Sequence, residues 1–405
     1  IWVNIISNTN TLIDDEQFIS RNRTGDRGFT RECKITFRNL LVLLSKGLSR
    51  SLYRELNSFF GEIQQSEYSI AEVSKGALTH ARRKLKPEAF KELNQSALKT
   101  FYQEAPWLKW RGHRLLGGDG STAVLPRHKS VIKEFGEQGF GSKADSKNSI
   151  ATLSVIYDVL NLTTLDVQID GYTTSERALL DRHLSQCCFE PNDLLLLDRG
   201  YAGIGLMYEL QQQGRDFCIR LTDDWWKEVR QMIEKGEKDK IVTFPLPAKD
   251  RHLAKRYNSI LQDVKCRLVV IELEGGVKEV LCTSLVDQHQ YEYECFKELY
   301  HYRWQIEEGY KLFKCRVCLE VFSGKTAQAV KQDVFAKVFM MSMCAMLSFP
   351  IEQKVRAEYN ESKSKPKYQK QINRTDVLAI VKETWIGLFI RRAYHTALCA
   401  IDNIV

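Results

Sequence analysis

The sequence has little that would mark a secreted, zinc-stabilised or membrane-spanning protein. Its 405 residues contain 11 cysteines, too sparse and irregular for a disulfide framework, which favours a reducing cytoplasm. No basic and apolar signal pattern opens the sequence. The pair Cys315 and Cys318 has no second pair at zinc-finger spacing, so no structural zinc site is predicted. The longest apolar stretch, residues 334–351, is interrupted by Lys337 and Pro350, which predicts a buried helix and no membrane partner.

The overall composition is that of a globular protein. Hydrophobic residues make up 43% and charged residues 27%, which excludes wholesale disorder and fibrous repeats. At roughly 150 residues per domain, the length predicts two or three domains. Lys and Arg number 59 against 51 Asp and Glu, and the resulting charge of +8 suits a polyanionic partner without requiring one.

Residues 1–105 predict a helical N-terminal domain, because leucines recur there at helical spacing between charged residues. Two basic clusters lie in this region and would supply salt-dependent contacts to DNA phosphates. Their members include Arg27 and Arg31 in the first cluster and Arg82, Arg83 and Lys84 in the second. The alternative is that each cluster is simply a solvated helix face.

From about residue 110 the pattern changes to strands alternating with helices. Strand-like runs at 114–119, 149–159 and 163–169 are rich in β-branched residues, and a continuous leucine run at 194–197 predicts a strand buried on both faces. Helical segments are predicted at 177–185 and 203–213, and a further strand at 217–221. This succession predicts a mixed α/β sheet.

The predicted division of the chain follows these changes of pattern. After the N-terminal domain come a first part of the α/β core at 106–221, a β-rich insertion at 222–288, closing helices of the core at 289–350 and a helical C-terminal region at 351–405. A glycine pair within the insertion predicts a hairpin turn.

Two acidic residues, Asp119 and Asp198, each follow a hydrophobic strand and precede glycine by one or two positions. In an α/β sheet, side chains at the ends of separate strands converge on one ligand. Carboxylates placed in this way are candidates for a metal or a catalytic site.

A third candidate carboxylate lies on the predicted helix 300–314. At about 100° per residue, one face of this helix carries Tyr300 and four charged side chains. The charged residues are Arg303, Glu307, Lys311 and Lys314. A surface face of alternating charge would give the same pattern. Three carboxylates flanked by Arg and Lys suit divalent metals and phosphate, and the basic residues argue against the neutral sugar of a glycosidase.

Three segments together resemble the signatures of bacterial DDE transposases of the insertion-sequence-four family. They are Gly-Asp-Gly-Ser-Thr at 118–122, Leu-Asp-Arg-Gly-Tyr at 197–201, and Tyr, two residues, Arg, three residues, Glu, six residues, Lys at 300–314. The resemblance covers residues 110–345 most strongly.

The resemblance implies an α/β fold with an RNase H-like catalytic core, a mainly β insertion, and helical N-terminal and C-terminal regions. It implies that Asp119, Asp198 and Glu307 bind two Mg²⁺ or Mn²⁺ ions, while Tyr300, Arg303 and Lys314 hold transposon-end phosphates. The implied activity is end cleavage through a transposon-end hairpin, followed by strand transfer into target DNA. The implied partners are terminal inverted repeats, target DNA and a second copy of the chain in a synaptic dimer, near the nucleoid.

A hairpin requires sharply bent DNA, and an aromatic side chain would stabilise a base taken out of the stack. Trp225 and Trp226 in the insertion are candidates for this role, although packing of the insertion is the favoured explanation for both residues. Two other functions remain open from the sequence. One is an RNase H-like nuclease that cuts without joining, and the other is a domesticated DNA-binding protein on the same fold.

Overall fold

The computed structural model of the protein describes most of the chain. The described residues are 1–48, 51–66, 68, 71–139, 147–223, 225–260, 263–273, 276–303, 320–361 and 371–402.

Helices form the N-terminal region, as predicted. Within the described residues they are α1 (Trp2–Asp14), α2 (Glu16–Asn22), α3 (Phe37–Ser45), α4 (Leu52–Ile63), α5 (Lys75–Arg83) and α6 (Glu88–Glu104). Local sequence sets two of the helix starts, because the Thr36 and Ser74 hydroxyls each accept an N–H bond three residues ahead at 3.1 Å. The leucines of α3 are buried in the core that this region shares with the rest of the protein.

The centre of the protein is an eight-stranded mixed sheet in the order β5-β4-β1-β6-β7-β10-β9-β8. Its strands are β1 (Arg114–Val124), β4 (Ile150–Asp158), β5 (Thr163–Gly171), β6 (Asp193–Leu197), β7 (Asp216–Leu221), β8 (Asp239–Pro245), β9 (Asp263–Glu272) and β10 (Lys278–Thr283). The short strands β2 (Gln138–Gly139) and β3 (Lys147–Asn148) pair separately. β1 runs antiparallel to β4 and parallel to β6, and β6 runs parallel to β7.

The first five strands in this order, with β5, β4 and β1 antiparallel and β1, β6 and β7 parallel, form an RNase H-like core. The predicted α/β class is therefore confirmed. Between the strands lie α7 (Lys129–Phe135), α8 (Glu176–Gln186) and α9 (Ile204–Gln212). The four leucines of β6 are fully buried and alternate between two hydrophobic clusters, one on each face of the sheet. This double burial explains the continuous apolar run.

The region predicted as a β insertion does not form a separate sheet. β10 pairs antiparallel with β7, and β9 and β8 follow, so its strands extend the edge of the core sheet. Two helices, α10 (Lys227–Glu234) and α11 (Arg251–Arg256), accompany the strands.

The closing helices cover the sheet and the N-terminal helices. They are α12 (Cys295–His301), α13 (Ala327–Glu361), α14 (Arg374–Phe389) and α15 (Tyr394–Asp402). The helical C-terminal region thus contains α14 and α15 after the end of α13, with a break between these two helices at residues 390–393. In the described part of the chain, α13 is the helix long and apolar enough to cross a membrane, yet 94% of its apolar stretch is buried inside the protein. This helix is a core element, as predicted for residues 334–351.

Candidate active site

Sheet register places Asp119 and Asp198 side by side. The parallel ladder of β1 and β6 ends at the pair Gly118 and Leu197, and the two aspartates are the next residue on each strand. Neighbouring strands lie about 4.8 Å apart, so these carboxylates leave the sheet at adjacent points. The sequence predicted that β1 would end at Asp119, whereas β1 continues to Val124 because it remains paired with β4. The parallel ladder, and not the strand itself, ends there.

The glycines beside Asp119 leave room for neighbouring side chains. A Cβ atom at Gly118 would lie 2.7 Å from Leu197 Cδ2, and one at Gly120 would collide with the carboxylate of Glu176. Glu176 stands in the first turn of α8, whose Ser175 cap accepts the Ala178 N–H at 3.2 Å. The Gly-Asp-Gly string therefore lets two packed side chains approach the backbone that presents Asp119.

Asp119 lies in an acidic environment. Burial raises the pKa of Asp119 to about 6, although the Gly120 N–H donates to its Oδ1 at 2.8 Å and lowers it. The negative charges of Glu176 and Asp198 raise the pKa further, and the positive charge of Arg303 opposes them. These four charged side chains are thus close enough to influence one another.

Asp198 has a direct cationic partner that the sequence did not indicate. Arg220 on β7 donates from Nε to Asp198 Oδ1 at 2.9 Å, and its Nη2 lies 2.8 Å from the same oxygen. The backbone N–H of Arg199 donates to that oxygen at 2.7 Å. Arg220 also donates from Nη1 to Glu279 Oε1 at 2.6 Å.

Tyr300 and Arg303 lie at the end of α12 and just beyond it. Arg303 is buried, and its guanidinium carbon lies 5.7 Å from the centre of the Tyr300 ring. Burial raises the pKa of Tyr300, and the Asp198 charge adds to this effect. Among the described residues, the buried Tyr300 hydroxyl meets no hydrogen-bond partner. The structure therefore brings Tyr300 and Arg303 to the acidic pair.

The remaining predicted residues of this helix, Glu307, Lys311 and Lys314, lie outside the described residues, as do Cys315 and Cys318. In the described ranges, no group of three or more His, Cys, Asp or Glu side chains is arranged to hold a metal ion. The described part of the site is a pair of carboxylates with two arginines.

Sequence patterns also missed Glu176 and Tyr201. Burial raises the pKa of Tyr201, and the charges of Glu176 and Asp119 add to the increase. The Tyr201 side chain is buried inside the protein. Tyr201 does belong to the Leu-Asp-Arg-Gly-Tyr string, which was a usable signal, but nothing in the local sequence marks Glu176.

The N-terminal basic residues divide into two kinds. Arg27, Arg31 and Lys84 are exposed and line one cleft of about 750 Å³, and Arg83 is exposed on α5. Arg82 is different, and its predicted contact with DNA is wrong. Its side chain is 7% exposed and forms an ion pair with Asp333 inside the protein.

Arg82 is fixed by partners far away in the sequence. Its guanidinium donates to Asp333 at 2.7 Å, to Gln332 at 2.8 Å and to Ser323 at 2.6 Å. A guanidinium that is buried and paired in this way is not presented to a phosphate at the surface.

Trp225 and Trp226 are half-buried and pack against the second hydrophobic cluster. Their ring centres lie 3.5 Å apart, and Trp226 lies 4.0 Å from the ring of Phe244. Both rings line a cleft of about 460 Å³ beside Arg177 and Lys249. The pair therefore packs the extended sheet and still presents one side to a cleft.

Comparisons with known proteins place the chain among transposases. Over 248 residues the chain is 24% identical to the transposase InsG for insertion sequence element IS4 of Escherichia coli K12. That match covers 60% of this chain and 53% of InsG, so the chain spans about half the length of this curated relative.

A solved structure, the piggyBac transposase synaptic complex with hairpin DNA, is similar over 99% of this chain and 85% of that one. The identity is 10% and the TM-score is 0.46. The family model described as "Transposase DDE domain" matches residues 110–344, which include both aspartates, Arg220, Arg303 and Glu307. The chain belongs to the DDE transposase family.

Proposed function

We propose that the protein is a DNA transposase that cleaves the ends of a mobile DNA segment and joins them to target DNA. The observation that supports this most directly is the placement of Asp119 and Asp198 at the end of one parallel ladder, inside the matched span. The similarity to InsG supports the same activity.

Members of this family generally use divalent metal ions. The donor set fits such ions, because Mg²⁺ and Mn²⁺ prefer carboxylate oxygens and keep open positions for water and phosphate. Burial and like charges raise the pKa of Asp119, and a nearby divalent cation would relieve this repulsion. Asp119, Asp198 and Glu307 would hold the ions, two per site. Bound metal would supply Lewis-acid stabilisation of the attacking and leaving oxygens.

The basic residues of the site would position the DNA end. Arg303 lies beside the acidic pair, where a guanidinium fork would match a phosphate, and the Tyr300 hydroxyl lies nearby. Lys311 and Lys314 would extend this contact along the helix. Holding the scissile phosphate in line with its nucleophile lowers the barrier without any covalent link to the protein.

End recognition would fall to the N-terminal helical domain. Arg27, Arg31, Arg83 and Lys84 are exposed there and would contact phosphates. The division into residues 1–105, 106–221, 222–288, 289–350 and 351–405 belongs to this proposal.

Cleavage would proceed through a hairpin on the transposon end. The cleft beside Trp225 and Trp226 would receive a displaced base, since stacking on an aromatic ring offsets the cost of unstacking. Two copies of the chain would pair the two ends in a synaptic dimer, acting on DNA in the nucleoid.

The decisive experiment uses DNA that carries the sequences bordering the gene as candidate transposon ends. Asp119→Ala, Asp198→Ala and Glu307→Ala should each abolish Mg²⁺-dependent cleavage, because each removes a metal ligand. Asp263→Ala removes an exposed aspartate at the start of β9 and serves as the matched control. Retained cleavage in all three variants would refute the site.

A second assay separates joining from cutting. Pre-cleaved ends with free 3′-hydroxyls are incubated with plasmid DNA, and joined products are counted. Cleavage without joining would assign the chain to the nucleases. Binding without either reaction would make it a DNA-binding protein.

A further inference from the structure

The row of residues that follows the parallel ladders contains three charged side chains. Leu197 of β6 pairs with Ile219 of β7, as it does with Gly118 of β1. The next position on the three strands is therefore occupied by Asp119, Asp198 and Arg220. This row leaves an arginine at the same sheet edge as the acidic pair.

Arg220 touches only one oxygen of Asp198. Its Nε and Nη2 atoms lie 2.9 and 2.8 Å from Oδ1, and the Arg199 N–H also reaches Oδ1. Three donors on one oxygen restrict the rotation of the carboxylate.

Glu279 holds the other end of Arg220. It lies on β10, the strand that joins the insertion to the core sheet, and accepts the Nη1 bond at 2.6 Å. The Arg220 side chain is 23% exposed, Asp198 is 32% exposed and Glu279 is 14% exposed, so the chain of contacts is largely shielded from water. Shielded, charge-assisted bonds of this kind restrict side-chain rotation more than surface ion pairs do.

We propose that Arg220 and Glu279 are positioning residues that hold the Asp198 carboxylate in the orientation in which it would bind a divalent cation. This inference rests on the proposed function of the Asp119 and Asp198 site. It gives the insertion a role in catalysis, because β10 supplies the carboxylate that holds Arg220.

The proposal is tested by whether Arg220→Gln weakens or tightens Mn²⁺ binding. Mn²⁺ binding to the full-length protein is measured by titration calorimetry, and the contribution of the site is the part lost in Asp198→Asn. Removing a positive charge would by itself tighten Mn²⁺ binding. If Arg220 orients Asp198, Arg220→Gln should instead weaken binding about tenfold, the low end of what losing a partner of a metal ligand costs.

Arg199→Gln is the matched control for charge. Arg199 is exposed next to Asp198, and only its backbone N–H, which the substitution keeps, donates to the carboxylate. This variant should bind Mn²⁺ as tightly as the wild type or slightly more tightly. Arg220→Lys keeps the charge but loses the fork, and should recover only part of the affinity.

Glu279 is tested through a double-mutant cycle. Glu279→Gln should weaken Mn²⁺ binding a few-fold in the wild-type background and have no effect when Arg220 is already glutamine. Glu272→Gln, an exposed glutamate on β9, is the control and should have little effect in either background.

The possible outcomes separate the two proposals. If Asp198→Asn leaves Mn²⁺ binding unchanged, the metal site itself fails. If binding depends on Asp198 but Arg220→Gln tightens it or leaves it unchanged, the orienting role is overturned. Thermal melting of Arg220→Gln and Arg220→Lys verifies that both variants are folded before either result is interpreted.

Discussion

The two ends of the ladder between β1 and β6 hold opposite arrangements of charge. At its start, Arg114 of β1 stands opposite Asp193 of β6, and the two form a fork with both N···O distances at 2.7 Å. At its other end, Asp119 and Asp198 stand together with the same sign. A few residues of parallel strand therefore separate a neutralised pair from a repelling one.

The difference separates stability from function. Arg114 and Asp193 are 4% and 0% exposed, and each satisfies the other, so this end is closed to ligands. At the carboxylate end the pKa of Asp119 is raised, mainly because of burial, and the negative charges of Glu176 and Asp198 add to the increase. A protein retains a charge arrangement that opposes folding where a ligand makes use of it.

The largest effect is expected from removing one member of the buried pair of Arg114 and Asp193. Arg114→Met leaves Asp193 buried without its partner, so the free energy of unfolding should fall by about 3–5 kcal/mol. Urea unfolding followed by circular dichroism measures the change. Arg127→Met, at an exposed position just beyond β1, is the control and should lie within about 0.5 kcal/mol of the wild type. A comparable loss in both variants would contradict the distinction.

At the Asp119 end of the ladder, removing a charge should raise the free energy of unfolding. The pKa of Asp119 is about 6 in the folded protein against 3.8 in the unfolded chain, so the unfolded chain loses its proton first as pH rises. Stability therefore falls from about pH 4 to pH 6, and the cost is complete above the folded pKa. Asp119→Asn removes this cost and should stabilise the metal-free protein at pH 8 by ~1–2 kcal/mol, allowing for solvent screening.

Two controls test that expectation. The gain from Asp119→Asn should disappear below about pH 4, where both states are protonated. Asp198→Asn should give no gain at pH 8, because Arg220 already neutralises Asp198. A gain that is independent of pH, or equal in both variants, would show that charge is not its cause.

The parts of this arrangement that sequence predicted are those fixed by local pattern. The leucine run of β6 marked a strand buried on both faces, and the acidic residue after it marked a strand end. Asp119 was found for the same reason, although β1 continues past it. Whether a strand ends is decided by its pairing with β4, which is distant in the sequence and leaves no local signal.

Arg220 and Glu279 were not predictable, because their roles come from sheet register. Nothing near Arg220 in the sequence shows that β7 lies next to β6, or that β10 adds to its other side. The insertion was predicted as β-rich from its own pattern, but its continuity with the core sheet was not visible. The predicted DNA contact of Arg82 was wrong for the same reason, because its partner Asp333 is 251 positions away and leaves no local signal.

Arg82 and Arg83 repeat the contrast between a buried, paired charge and an exposed one at adjacent positions, and the change at Arg83 gives the smallest expected effect. Arg83→Ala should leave the free energy of unfolding within about 0.5 kcal/mol of the wild type, and lower the slope of log affinity for DNA against log salt by about 1. Arg82→Ala should instead destabilise the protein, because it leaves Asp333 buried without its partner. Equal effects of the two changes on the salt slope would mean that Arg82 reaches DNA, which its burial forbids.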